Sequence, residues 1–302
     1  MKFTFWIRSL ALAAAVLGVV SGASIADVVT LSNGNSSATF KTTAAGAGEL
    51  GLNNWTVDGT NHMWQQWFWY RTGSQTQEWA IDGSGPLAHV SSMALDTDGD
   101  ASNDFMIARY RDGETSTTPE TFTVEMRYLL TGGTAGSNTS DIVEVIRIQN
   151  LGNAPMDFHL FQYVDFDLND SYADDKIVLT GSPVNTATQS DPINIVGETV
   201  VTPPPQRWQA AVSGTILGML NDGDIDNLDM TQGPFANIDA TWSFQWDFTG
   251  GLRIPAGGVA IISKDKNIRP GDGGIVPEPS TFALAGMGLV GLLAAARRRR
   301  KA

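Results

Sequence analysis

The chain has 302 residues, with 19 Lys and Arg against 32 Asp and Glu, a formal net charge of −13, and no cysteine. Without cysteine there are no disulfides, no thiolate metal ligands and no thiol nucleophile. The acidic balance argues against a nucleic-acid partner, which needs basic patches.

Lys2 and Arg8 flank the start of an apolar run from Leu10 to Val20, and Ser24-Ile25-Ala26 places small residues at −3 and −1 of a cleavage site. This predicts a signal peptide over residues 1–26, removed by signal peptidase after Ala26 to leave Asp27 first, with cleavage after Ala23 as second choice. A spanning helix needs roughly 20 apolar residues, more than this run supplies.

Residues 27–275 form the body. Removing Lys2, Arg8 and the five basic residues near the C-terminus from the 19 leaves 12 basic against 32 acidic, a balance of −20 up to Ser280. No 20–50-residue repeat interrupts it. Its first strong feature is Trp64-Gln65-Gln66-Trp67-Phe68-Trp69-Tyr70-Arg71. As a strand this puts Trp64, Phe68 and Tyr70 on one face and Trp67 and Trp69 on the other. Either both faces are covered, or Trp67 and Trp69 form an exposed platform on which a sugar can stack. Asp96-Thr97-Asp98-Gly99-Asp100, with Asp104 beyond, spaces carboxylates at alternate residues around a glycine. Calcium takes six to eight oxygens from such loops, whereas Asp and Gly also favour plain turns. Asp96, Asp98, Asp100 and Asp104 are therefore one set of calcium candidates.

Further along the period is two. Phe122, Val124, Met126, Tyr128 and Leu130 alternate with more polar neighbours, as a half-buried strand does. Asp141 to Gln149 and Met156 to Leu168 read as two strands joined through Asn150-Leu151-Gly152-Asn153, a predicted hairpin. On the second of these, Asp165 and Asp167 share a face about 7 Å apart, where they are either simply exposed or act as ligands or a carboxylate pair. Pro203-Pro204-Pro205 is an extended spacer. Asn221-Asp222-Gly223-Asp224-Ile225-Asp226-Asn227-Leu228-Asp229 repeats the acidic spacing and makes Asp222, Asp224, Asp226 and Asp229 a second calcium set, outside the EF-hand register. Trp242, Phe244, Trp246 and Phe248 alternate as another strand, and Pro255-Ala256-Gly257-Gly258 turns the chain into Val259 to Ser263. His62, His89 and His159 lack metal spacing, and no nucleophile-elbow, P-loop or dinucleotide pattern occurs. Many strands with turn signals between them predict an all-β fold, a single large antiparallel β-sandwich.

The chain ends in three parts: Val276-Pro277-Glu278-Pro279-Ser280, the uncharged segment Thr281 to Ala296, and the basic cluster Arg297, Arg298, Arg299, Arg300 and Lys301. The prolines stiffen the first part. As a short hydrophobic helix at about 1.5 Å per residue, the second covers roughly 24 Å, a thin membrane span. The third stays cytoplasmic and leaves everything before it outside.

This order of Pro-Glu-Pro, hydrophobic helix and arginine cluster resembles the PEP-CTERM sorting signal. The resemblance covers residues 276–302 and implies recognition by exosortase, a membrane enzyme that processes near the Pro-Glu-Pro. It also implies a Gram-negative host that makes extracellular polysaccharide. Arg147-Ile148-Gln149-Asn150, Phe161 to Leu168 and Ile262 to Lys266 are similar to uncharacterised PEP-CTERM bodies, and in outline the body looks like sandwiches of carbohydrate-active proteins. Such an analogy concerns fold and not activity. The expectation is an exported envelope or matrix protein, non-enzymatic and associated with extracellular polysaccharide. Its alternatives are a lyase- or epimerase-like enzyme acting on that polysaccharide, or a calcium-stiffened structural or adhesive protein.

Overall fold

The computed structural model describes residues 27–271 apart from 46–47, 74 and 114–119. The signal peptide and the sorting tail expected from the sequence, Val276 to Lys301 included, lie outside the described residues. Among the described residues no helix is long and apolar enough to cross a membrane.

The chain opens in one sheet with β1 (Val28–Asn33), β2 (Ser36–Lys41), β3 (Gly51–Val57), β4 (Thr60–Asn61), β5 (Gln65–Thr72) and β6 (Trp79–Ala80). It crosses to a second sheet for β7 (Leu87–Leu95), β8 (Phe105–Asp112), β9 (Phe122–Gly132) and β10 (Ser140–Asn150), then returns to the first for β11 (Phe158–Asp165). The second sheet next receives β12 (Asp175–Gly181), β13 (Val184–Ser190) and β14 (Asn194–Thr202), and the first takes β15 (Arg207–Val212). After α1 (Thr215–Leu220) come β16 (Phe235–Ile238) in the second sheet, β17 (Ala240–Phe248) in the first and β18 (Val259–Pro270) in the second. The sheets run β1-β2-β3-β5-β11-β17-β15 and β16-β12-β13-β14-β18-β10-β9-β8-β7, antiparallel throughout, with β4 on β3 and β6 on β5. This is the expected large antiparallel β-sandwich.

Alternation accounts for the core. Phe122, Val124, Met126, Tyr128 and Leu130 of β9 all point inward, as do Trp242, Phe244 and Trp246 of β17. Rings interlock across the gap: Phe40 of β2 meets Tyr128 at 4.5 Å between centroids, and Tyr70 of β5 meets Phe122 at 5.7 Å. The predicted hairpin of 141–168 does not form. β10 pairs with β9 and β18, whereas β11 pairs with β5 and β17 in the other sheet. The link is a corner: the Asn150 amide donates to the carbonyls of Ala154, Ile254 and Pro255 at 2.8–3.0 Å, and Met156 bridges Ile254. At Gly51, φ is +86°, and any side chain would run into the Gln66 carbonyl and the Trp67 ring.

In the middle of this apolar gap sit four fully buried charges. β18 lies between β10 and β14, which places Lys264 opposite Glu144 and Lys266 opposite Glu198. Lys264 Nζ is 2.7 Å from Glu144 and 3.3 Å from Glu198; Lys266 Nζ is 2.6 Å from Glu144 and 3.8 Å from Glu198. The facing sheet completes the network. Gln162 donates to both Glu198 oxygens at 2.7 and 2.8 Å and accepts from Lys264, Trp242 donates to Glu198 at 3.2 Å, and Gln66 faces Glu144 at 3.4 Å. Burial pushes Glu144 up, but Lys264 and Lys266 outweigh it and bring the carboxyl down to about 2.

Removing one partner of a buried ion pair strands the other charge, which costs about 3–5 kcal/mol, whereas an apolar replacement of both can be nearly neutral. Lys266→Met should therefore lower stability by about 3–5 kcal/mol in urea titration, and adding Glu144→Leu should restore much of it. A loss below about 1 kcal/mol in the single variant would mean that water reaches these charges. Because the folded value of Glu144 lies below the ordinary 4.5, the unfolded chain takes up this proton first. Its contribution is complete above about pH 4.5 and is lost as pH falls toward 2, an acid limb that the double variant should flatten.

Candidate functional site

The outer face of the first sheet, away from the core, collects most of the chemically able side chains. In the ladder His159 of β11 lies between Arg71 of β5 and Asp247 of β17, Phe161 between Trp69 and Gln245, and Tyr163 between Trp67 and Ser243. Arg207 and Gln209 of β15 continue the face beside Gln245 and Ser243. Two-residue periodicity therefore sets aromatic residues toward β5 and polar ones toward β17 and β15.

This face is roofed. Trp67 Nε1 donates to the Ile81 carbonyl at 2.8 Å, and Trp69 Nε1 donates to Asn221 Oδ1 at 2.9 Å. Both indoles are buried, 0% and 2% exposed, so the platform expectation for Trp67 and Trp69 is corrected: neither offers a flat face to a sugar. The other reading of Trp64–Arg71, a central strand covered on both sides, is the one observed.

Much of the roof is the second acidic loop. Arg71 bonds Glu78 at 2.8 Å and reaches the Asp226 carbonyl at 3.3 Å, and Glu78 accepts the Asp226 N–H at 3.3 Å. Gln245 accepts the Leu228 N–H at 2.9 Å and donates to Asn227 Oδ1 at 2.7 Å. Gln209 accepts the Asp229 N–H at 3.2 Å, and Arg207 donates to the Leu228 carbonyl at 3.2 Å. The Leu228 side chain is buried. Residues 226–229 are thus held by their backbone, much as an extended peptide is held on a receptor. The Asp222 carboxyl neighbours that of Asp226 and accepts the Asp224 N–H, Asp229 accepts the Thr231 N–H, and among the described residues no three of the four come together as ligands. Calcium at Asp222, Asp224, Asp226 and Asp229 is therefore corrected to a backbone-bound lid.

Under one edge of the lid His159 Nδ1 lies 2.6 Å from Asp247 Oδ1, with side chains 14% and 19% exposed. Burial raises Asp247, yet the hydrogen bonds from His159 and Gln245 outweigh it and hold the carboxyl below its usual range. Glu78 goes the other way, raised by burial despite Arg71.

The first acidic loop is a turn closed by its own amides. Asp96 accepts the N–H groups of Gly99 and Ala101, Asp98 that of Asp100, and Asp100 that of Ser102, at 2.6–3.2 Å. Donors of Asp96, Asp98 and Asp100 come within 4.8 Å of one another and are exposed. Asp104 does not join them: it is buried and binds the Thr97 N–H and hydroxyl at 2.8 and 2.6 Å. That removes the one rigid ligand from the expected set.

A third acidic group stands at the far end of β11. Donor atoms of Asp165, Asp167 and Asp239 lie within 4.8 Å of one another. Tyr163 and Ser213 hydroxyls bond Asp165 Oδ2 at 2.7 and 3.2 Å, while Asp165 Oδ1 and Asp239 Oδ1 are enclosed without a hydrogen-bond partner. Burial pushes Asp165 up to about 7 and Asp167 up to about 6, and Asp239 is raised as well. Asp165 and Asp167 were legible as a pair. Asp239 had no local signal, because it joins them only through the β11–β17 pairing.

Comparison with known proteins matches residues 276–300 to the PEP-CTERM protein-sorting motif. The motif is that of exported, envelope-associated proteins processed by exosortase. No curated protein matches the chain. Among solved structures, a bacterial glucoamylase complexed with acarbose is similar at 8% identity and a TM-score of 0.49, over 83% of this chain and 33% of that one, so the chain spans about a third of its length. A galactose mutarotase-like protein from Lactobacillus casei ATCC 334 is similar at 11% identity and 0.46, over 80% and 100%. A putative aldose 1-epimerase from Escherichia coli K12 is similar at 10% identity and 0.45, over 80% and 98%.

The lid has a direct test. A single hydrogen bond contributes about 1–1.5 kcal/mol net, or roughly tenfold in an opening equilibrium. Gln245→Ala should speed hydrogen exchange of the Leu228 amide by about tenfold or more and leave the amides of β9 and β10 unchanged. Equal acceleration everywhere would mean that Gln245 supports the whole fold and not the lid.

Proposed function

We propose that the protein is exported by the secretory machinery, sorted at the membrane by exosortase through its tail, and serves outside as a non-enzymatic envelope or extracellular-matrix component associated with extracellular polysaccharide of a Gram-negative bacterium. The observation that carries this reading is the sorting motif at residues 276–300. In this account residues 1–26 are the signal peptide, 27–275 the body and 276–302 the sorting tail, which anchors the chain only until it is processed. The roofed outer face supports a non-enzymatic role, since its aromatic and polar groups are engaged by the protein's own chain.

A second reading has one observation in its favour: Arg71, Glu78, His159 and Asp247 stand on or beside one sheet face, a set suited to proton transfer at a sugar. Opening of the lid would make the protein a lyase- or epimerase-like enzyme. Turnover of the host's polysaccharide that Asp247→Asn abolishes would establish this reading over the first.

The sorting account predicts specific termini. In a host with exosortase, mass spectrometry of the envelope-bound pool should find Asp27 first and no Arg297 to Lys301. Deleting 276–302 should release a body that keeps its β circular dichroism. An intact arginine tail in the mature pool would make the segment a permanent anchor, and unchanged retention after the deletion would overturn sorting by the tail.

A further inference from the structure

We infer that Asp165, Asp167 and Asp239 form a calcium site at the end of the central strands of the first sheet. The three residues come from the last position of β11, the turn that follows it and the residue just ahead of β17. They are held together by neighbours that have no need of an ion: Asp165 pairs with Thr241 in the ladder, and the Ser213 N–H donates to the Asp239 carbonyl at 2.9 Å. The cluster is therefore built by the sheet and not by a turn.

Two oxygens mark it as a ligand site. Asp165 is 2% exposed, and its Oδ1 is enclosed with no hydrogen-bond partner; Oδ1 of Asp239 is enclosed and unpartnered in the same way. A buried carboxylate oxygen without a donor costs free energy that a bound cation recovers. The exposed Asp96–Asp100 turn differs here, since each of its three carboxylates already accepts backbone N–H groups.

Oxygen-only donors select a hard cation. Donor atoms within 4.8 Å of one another can share a calcium ion, whose oxygens sit at about 2.3–2.6 Å, whereas magnesium sheds its waters reluctantly to reach enclosed oxygens. Three carboxylates leave the remaining positions of a six- to eight-coordinate ion to water.

The full-length chain in detergent is titrated with calcium chloride, and its melting temperature is followed in calcium, magnesium and sodium chloride of matched ionic strength. At a hundredfold excess over Kd, calcium should raise melting by about 5–10 °C beyond the salt control, with magnesium clearly weaker. Terbium in place of calcium should luminesce on excitation of the protein's aromatic residues and be displaced by calcium. Asp239→Asn should weaken binding at least tenfold, and without calcium it should melt no lower than the wild type, because it removes one of three crowded charges. Asp167→Asn should behave alike and stands in if the first variant fails to fold. Asp98→Asn and Asp224→Asn should bind as the wild type does. Equal shifts in calcium and sodium chloride, or a calcium shift that survives both Asp239→Asn and Asp167→Asn, would overturn the site; loss of the shift in Asp98→Asn would move it to the exposed turn.

Discussion

The second sheet is locked at its centre by four buried charges on three adjacent strands, β10, β18 and β14. Lys264 and Lys266 on β18 each stand between Glu144 and Glu198, and Gln66, Gln162 and Trp242 of the facing sheet supply the remaining donors and acceptors. An apolar interface tolerates sliding, since one buried methyl group substitutes for another. A buried ion does not, because sliding β18 by one residue would turn both ammoniums to the other face of the sheet, away from Glu144 and Glu198. The contribution is registry more than net stability. It fixes β18 against β10 and β14, and the contacts from Gln66, Gln162 and Trp242 tie that centre to β5, β11 and β17 of the first sheet.

That outer face behaves as a receptor for its own chain. Arg71, Glu78, Arg207, Gln209 and Gln245 all spend hydrogen bonds on the backbone of residues 226–229. The Asp229 side chain of the same segment is turned outward while Asp226 Oδ2 is enclosed, and most of the loop is solvent-exposed. Charge on this loop keeps it soluble while its backbone does the holding. The His159–Asp247 pair at its margin stays partly open to water.

Much of this architecture was legible in period-two alternation. Phe122 to Leu130 and Trp242 to Phe248 alternate because one face of each strand meets the other sheet, and that requirement is written locally. The break between β10 and β11 was not, because a Gly-Asn link between two strands looks the same whether the strands pair or part. What parts them is the Asn150 side chain gripping carbonyls about a hundred residues away. In Trp64 to Tyr70 the aromatic run showed a strand but not what covers its second face, which is a segment about 150 residues downstream. Acidic spacing marked the turns correctly and could not show which way the carboxylates point. Asp239 was invisible for the same reason as the four core charges: an isolated Asp, Glu or Lys acquires its meaning from a strand partner far along the chain.

One consequence of the strand order concerns time rather than geometry. β18 is the last strand among the described residues, and yet it lies in the interior of its sheet between β14 and β10. In a chain threaded through a membrane from its N-terminus, Glu144 and Glu198 emerge well before Lys264 and Lys266. Until residues 259–270 arrive, the second sheet is split in two and its glutamates lack counter-ions, so a half-emerged body has no closed core to settle into. For a chain exported in that direction, completion would wait for the stretch just ahead of the matched motif at 276–300, and the end of transport would coincide with the end of folding.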